Sequence, residues 1–316
     1  TKHTKIAALV LVALTTLTAC KKESPSTNAP KDVSAKNQQT APQLIPEFES
    51  RLDIYKEVTL SADLSHLSAN QKQMLALLID ASKIMDDLFW QQAFSQDKKT
   101  FLASIKDEKV RRFAEINYGP WDRLDGDKVF LTQSDAKAHG AEFYPKDMTK
   151  SEFEQVTLAE KDGLYSIISR DDDGKLITIA YSEMYSDAIN RAAAILEKAA
   201  TFADDKEFAN YLTMRAKALR TDEYQASDFA WMDMKNNPID VVIGPIENYE
   251  DQLYGYRAAF EAYVLIKDLS WSEKLAKYAQ YLPELQKELP VSKKYKAEVP
   301  GSDADLNAYD VIYYGG

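Results

Sequence analysis

Apolar positions first fall into a regular pattern over residues 68–94. Ser68 and Gln71 form a capping box, and Leu75, Leu78, Ile79, Ser82, Met85 and Phe89 follow at steps of three and four. Met74, Leu77, Ala81, Ile84 and Leu88 widen the stripe, so a mostly buried helix is predicted. A second helix is expected over about 97–117, stopped by Gly119-Pro120. Residues 120–150 mix Gly, Asp, Pro and aromatics and read as loop, with short strands around 129–131.

The period then drops to two. In "LYSIISRDDDGKLITIAYS" two β-branched runs, 164–169 and 175–181, flank an Asp-Gly turn, which predicts a hairpin. The three acids before Gly174 do not complete a calcium loop, because the position needing a glutamate six residues after the glycine is Ala180. Helical spacing returns over 183–220, and further helices are expected over 253–267 and 272–288, ahead of Pro290. With no internal repeat, the fold class is mainly α with a minor β element, the hairpin near 164–181, in one body spanning 46–316.

The front of the chain reads as an address. Lys2, His3 and Lys5 precede an apolar run at 6–16, too short to cross a bilayer of about 30 Å but right for a signal-peptide core. It ends in Leu17-Thr18-Ala19-Cys20, which resembles the bacterial lipoprotein cleavage box. Residues 1–20 are therefore expected to be a lipoprotein signal peptide, with Cys20 the lipidation site; an ordinary secretory peptide with an incidental cysteine is the plainer alternative. Cys20 is the only cysteine, so an internal disulfide is excluded. Residues 21–45, rich in Ser, Pro, Asn, Lys and Gln, read as a flexible tether. The expected location is the bacterial cell envelope, lipid-anchored at the outer membrane or facing the periplasm, with the lipid as the membrane contact.

Charge and composition narrow the chemistry. Fifty acids against 39 bases give a net charge of -11, a field that repels phosphate backbones, so no nucleic-acid partner is expected. Ten scattered glycines form no phosphate-cradling loop, which argues against nucleotides, and no G-x-S-x-G elbow is present. Of the three histidines, His3 lies in the signal peptide, and His66 and His139 stand 73 positions apart. No zinc ligand set and no catalytic centre is visible in this chain.

What remains is 239–266, "IDVVIGPIENYEDQLYGYRAAFEAYVLI". A carboxylate such as Glu247 beside a phenol such as Tyr249 can hold an ammonium group through a charge-assisted hydrogen bond and a second polar contact. Alternatively, Glu247, Glu250 and Asp251 simply favour the positive start of the helix expected over 253–267. In that helix Tyr256, Phe260, Tyr263 and Val264 would face the core, and Arg257 and Glu261, four apart, would pair.

The segment "IGPIENYEDQLYGYRAAFEAYV" resembles the E-x-Y-R-D-P...G-x-R-x-x-F-E-x-F-V stretch of the dipeptidyl-peptidase III family of zinc metallopeptidases. Glu247, Tyr249, Asp251, Gly255, Arg257, Phe260, Glu261 and Val264 match it, and "DLNAYDVIYYGG" falls in the family's order. The resemblance covers about 183–316, more faintly from 68. It implies a two-lobed peptidase releasing dipeptides from free N-termini, with zinc held by an H-E-x-x-x-H helix and a later glutamate. It also implies that Glu247 and Tyr249 bind the substrate's terminal ammonium. Glu250 stands where the family has arginine, Gln252 where it has proline, and one extra residue separates Tyr249 from Gly255. The H-E-x-x-x-H segment would follow this region and does not occur here, and Thr1 stands where an initiator methionine would. The expectation is therefore the N-terminal part of a lipid-anchored zinc exopeptidase, supplying the substrate site, binding no zinc and inactive alone. The alternative is a non-catalytic helical envelope lipoprotein that binds peptides or a protein partner.

Overall fold

The computed structural model describes residues 41–297 and 306–316. The expected signal peptide, Cys20 and the tether up to residue 40 lie outside the described residues. Helix α1 (Ala69–Ala93) runs as its stripe predicts: Gln71 N donates to Ser68 Oγ at 3.1 Å and Ser68 N donates back to Gln71 Oε1 at 2.9 Å. The helix expected over 97–117 is instead two, α2 (Lys98–Ser104) and α3 (Glu108–Ile116). Asp97 caps the start of α2, accepting from Thr100 N at 2.8 Å, and Asp107 marks the break by capping a new turn, accepting from Val110 N at 3.0 Å. The bend folds Phe101, Val110 and Phe113 onto Trp90, Phe94, Trp121 and Phe130, forming a second core beside the main one.

Two short strands follow, β1 (Trp121–Asp122) and β2 (Lys128–Val129), paired antiparallel. The strand expected over 129–131 stops early because Leu131 turns to bridge Leu44, and Ile45 N donates to Phe130 O at 2.9 Å. Residues 43–45, placed in the tether by composition, are thus bonded to the fold. After α4 (Lys150–Gln155), strands β3 (Ser166–Arg170) and β4 (Leu176–Ala180) make the predicted hairpin, in register from Ser166↔Ala180 to Arg170↔Leu176. Asp171 Oδ1 accepts the N–H groups of Asp173 and Lys175 at 3.0 and 2.8 Å, so the acid run closes a turn. The helical stretch then divides into α5 (Tyr181–Met184), α6 (Ser186–Ala200), α7 (Lys206–Thr221) and α8 (Gln225–Asp233).

The last part departs most from the sequence expectation. Strands β5 (Ile239–Glu247) and β6 (Ala259–Asp268) precede α9 (Leu269–Ala279), α10 (Leu282–Glu288) and α11 (Lys293–Lys296), and β7 (Ala308–Gly315) closes an antiparallel sheet of order β5-β6-β7. The helix expected over 253–267 does not form; a loop and β6 occupy its place. Phe260, Ala262, Val264 and Ile266 alternate into the core against α1, while Tyr256 is exposed and half-buried Tyr263 faces the other side of the sheet. Phe260 and Val264 satisfy both periods, and pairing on both edges of β6 settles which one wins. Gln92 of α1 ties the layers, its Oε1 accepting from Phe260 N at 2.8 Å. The helix expected over 272–288 breaks at Tyr281, ahead of Pro283 at the start of α10.

Candidate functional site

Strand β5 ends in a bulge between Pro245 and Glu247, and Glu247 pairs with Ala259 at the mouth of the sheet. The reading of 244–251 as a helix start is overturned, because no helix follows it. The eleven residues 248–258 form a loop whose conformation is set by three buried ionic side chains. Asp251, 1% exposed, accepts five hydrogen bonds. Leu253 N and Tyr254 N donate to Oδ1 at 3.1 and 3.2 Å; Tyr256 N, Arg257 N and the Tyr144 hydroxyl donate to Oδ2 at 2.9, 3.3 and 2.7 Å. Gly255 donates to Asp251 O at 2.9 Å with φ +70°, a backbone conformation that glycine adopts without a Cβ clash.

Glu250 points inward. Its carboxylate is 2.7 and 3.2 Å from the Arg123 guanidinium and 2.9 Å from Lys137 Nζ. Arg123 also lies over the Phe89 and Tyr118 rings, joining the loop to α1. Arg257 is fully buried, but Glu261 is not its partner. Its guanidinium donates to Gly163 O, to Lys161 O and to Ser166 Oγ, holding the loop against the start of β3. The pairing expected from a four-residue spacing fails because no helix forms: Arg257 lies in the loop before β6, and in extended backbone positions four apart stand about 13 Å from each other instead of one turn.

With Glu250, Asp251 and Arg257 turned inward, Glu247 and Tyr249 are left facing solvent. No lysine or arginine among the described residues pairs with Glu247. Beside them on β6 sits Glu261, 1% exposed, with neither carboxylate oxygen hydrogen-bonded. Burial, reinforced by the Glu247 charge, pushes the Glu261 carboxyl up to about 7; the nearby Tyr263 phenol opposes this without completing a hydrogen bond. Partial burial and the same two acids push the Tyr249 phenol up to about 12. The site is therefore an electronegative corner of two carboxyl groups and two phenols, suited to a cation that donates hydrogen bonds.

Sequence reasoning named Glu247 and Tyr249, and the structure places both at this corner. It matched Glu261 to the family motif but paired it with Arg257 and gave it no part in the site; an acid inside the apolar run "AAFEAYVLI" was the available signal. It also missed Arg123 and Lys137, for which no local signal exists.

The raised Glu261 group has a stability consequence. The folded chain keeps a proton on Glu261 between the unfolded value near 4.5 and about 7, so this contribution is fully present below the lower value and lost as pH rises through the higher one. Relative to the native chain, Glu261→Gln should gain about 3 kcal/mol more at pH 8 than at pH 4. Urea denaturation at the two pH values checks this, and an equal difference at both would refute it.

Among the described residues no three His, Cys, Asp or Glu side chains gather as a metal ligand set. The donors present therefore do not fit zinc.

Comparison with known proteins sets the chain in a family. Residues 146–316 match the family model described as Peptidase family M49. The structure is similar to "Structure of DPP III from Caldithrix abyssi", with TM-score 0.78 and 37% identity, covering 84% of this chain and 53% of that one. It is also similar to "Structure of dipeptidyl-peptidase III from Corallococcus sp. strain EGB", with TM-score 0.73 and 31% identity, covering 83% and 51%. A curated relative, Nudix hydrolase 3 of Arabidopsis thaliana, is 30% identical over a 330-position alignment that covers 85% of this chain and 42% of the relative. The chain thus spans about half the length of the proteins it matches. It belongs to peptidase family M49, the dipeptidyl-peptidase III family.

Proposed function

We propose that this chain supplies the substrate N-terminus site of a lipid-anchored zinc exopeptidase of the dipeptidyl-peptidase III type. In this reading Glu247 neutralises the free ammonium of a peptide and Tyr249 gives it a second polar contact, so that the cut falls at a set distance from the end. The observation that carries the reading is an exposed carboxylate at the end of β5, with no cationic partner among the described residues, beside a phenol on a loop fixed from beneath. Family membership supports peptides as the substrate class. The zinc ligands and the general base belong to protein outside these 316 residues. Cys20 carries the lipid and 21–40 the tether, placing the enzyme in the bacterial cell envelope.

Two measurements test this. The 316-residue chain alone should take up no stoichiometric zinc and release no dipeptides, and robust activity in a zinc-loaded preparation would refute the division of labour. In the full-length protein, Glu247→Ala should lower kcat/KM for free-amine peptides by about 10- to 100-fold and leave N-acetylated peptides nearly unchanged. Equal losses on both would count against the amine role.

A further inference from the structure

Glu261 is the one side chain at the corner whose surroundings make little sense without a ligand. A buried carboxyl group normally accepts hydrogen bonds or pairs with a cation, because leaving it unpaired costs desolvation with no return. Neither oxygen of Glu261 has a partner among the described residues, although Arg257 stands four residues before it on the chain and Arg123 belongs to the adjoining loop anchor. Both arginines are already committed elsewhere, Arg257 to the start of β3 and Arg123 to Glu250.

The groups around Glu261 are acids and phenols. Glu247 faces it from the end of β5, Tyr249 from the loop and Tyr263 from its own strand, while Tyr314 of β7 stacks on Tyr263 with ring centroids 5.9 Å apart. Gly316 lies beside the Glu261 stem, where an added Cβ would come within 2.8 Å of Glu261 Cγ, so the position has no room for a larger residue. Directly opposite on β5 is Gly244, which contributes no side chain to cover it. A buried, unpaired carboxyl group beside a second carboxylate is arranged to receive a cationic hydrogen-bond donor.

We propose that Glu261 is a second anionic contact for the peptide's ammonium group, and that seating the cation beside Glu247 expels to solvent the proton that the empty site keeps on Glu261. This rests on the amine-anchor reading above and deepens it. The exchange balances: the ligand enters as an ammonium ion, Glu261 passes from carboxylic acid to carboxylate, and one proton leaves to buffer. Burial and the Glu247 charge make the acid form the resting one near neutral pH, and an arriving cation reverses that preference. Occupancy is thereby linked to pH: below about 6 the ammonium competes with a proton, and towards pH 8 it does so progressively less.

Calorimetry on the full-length protein tests the linkage, using a tetrapeptide whose second peptide bond is N-methylated to resist cleavage. At pH 6 the peptide's own amine is fully protonated, so any proton released comes from the protein. Titrations in buffers of different ionisation enthalpy should show release approaching one proton per peptide bound. Glu261→Gln should abolish that release, weaken binding about 10- to 100-fold at pH 8, and flatten the pH dependence of KM between 6 and 8. A merely structural residue would not move the proton count. If Glu261→Gln does not fold, the native protein decides alone, since release of no proton at pH 6 overturns the proposal. The two readings fail separately. If N-acetylation costs no affinity, the amine anchor itself falls; if it costs affinity while no proton is released, only the role of Glu261 falls.

Discussion

Glu250→Ala is expected to cost about 3–5 kcal/mol of folding stability, read as a lower urea midpoint at neutral pH. The carboxylate is 2% exposed and compensates two cations at once, Arg123 at 2.7 Å and Lys137 at 2.9 Å. Alanine leaves Lys137, itself 5% exposed, with only Asp127 at 3.5 Å. It leaves the Arg123 guanidinium with the Asn117 carbonyl and the faces of two rings. An uncompensated buried charge is far more costly than the pair was worth, which is why the single truncation should be so damaging. The same geometry accounts for the departure from the family motif noted at this position. Restoring arginine as Glu250→Arg would bring a third cation against Arg123 and Lys137, and should destabilise at least as much as alanine. A loss below about 1 kcal/mol for either variant would mean that this triad does not hold the loop.

Asp251→Ala should cost about 3 kcal/mol, with the loss appearing in the same denaturation experiment. Four backbone N–H groups and the Tyr144 hydroxyl converge on this one carboxylate, and removing it orphans them in a nearly dry site. Asp251→Asn should be almost as harmful. Whichever way the amide lies, its NH2 faces donors, two at the Oδ1 position or three at Oδ2. Near-native stability of the asparagine variant would show that these bonds are not what shapes the turn. Both anchors act on the proposed site indirectly, because they fix the two positions that follow Tyr249 without themselves reaching solvent.

What was legible in the sequence follows the range of the forces involved. Helix α1 and the β3-β4 hairpin were readable because their instructions are local: a capping box, a wide apolar stripe, and an Asp-Gly turn between β-branched runs. Strand β6 was not. Its residues fit a helical stripe as well as an alternating one, and the decision came from β5 and β7, the latter some forty residues downstream. Glu247 and Tyr249 could be singled out by chemistry and resemblance. That Glu250 is a buried anchor and Glu261 an unpaired buried acid depends on Arg123, Lys137 and the sheet, none of which is adjacent in the chain.

The loop anchors also say something about when the site is made. Arg123 to Glu250 spans 127 residues, Tyr144 to Asp251 spans 107, and Arg257 to Ser166 spans 91. Contacts of such separation carry their closure entropy before they return any stabilisation, so they form late in a folding trajectory. On a ribosome, the helices and the 164–181 hairpin emerge before the segment that completes these links. Until 250–257 has been synthesised, Arg123, Lys137 and Tyr144 wait without their partners, and the nascent chain has no preformed receptor for a peptide end.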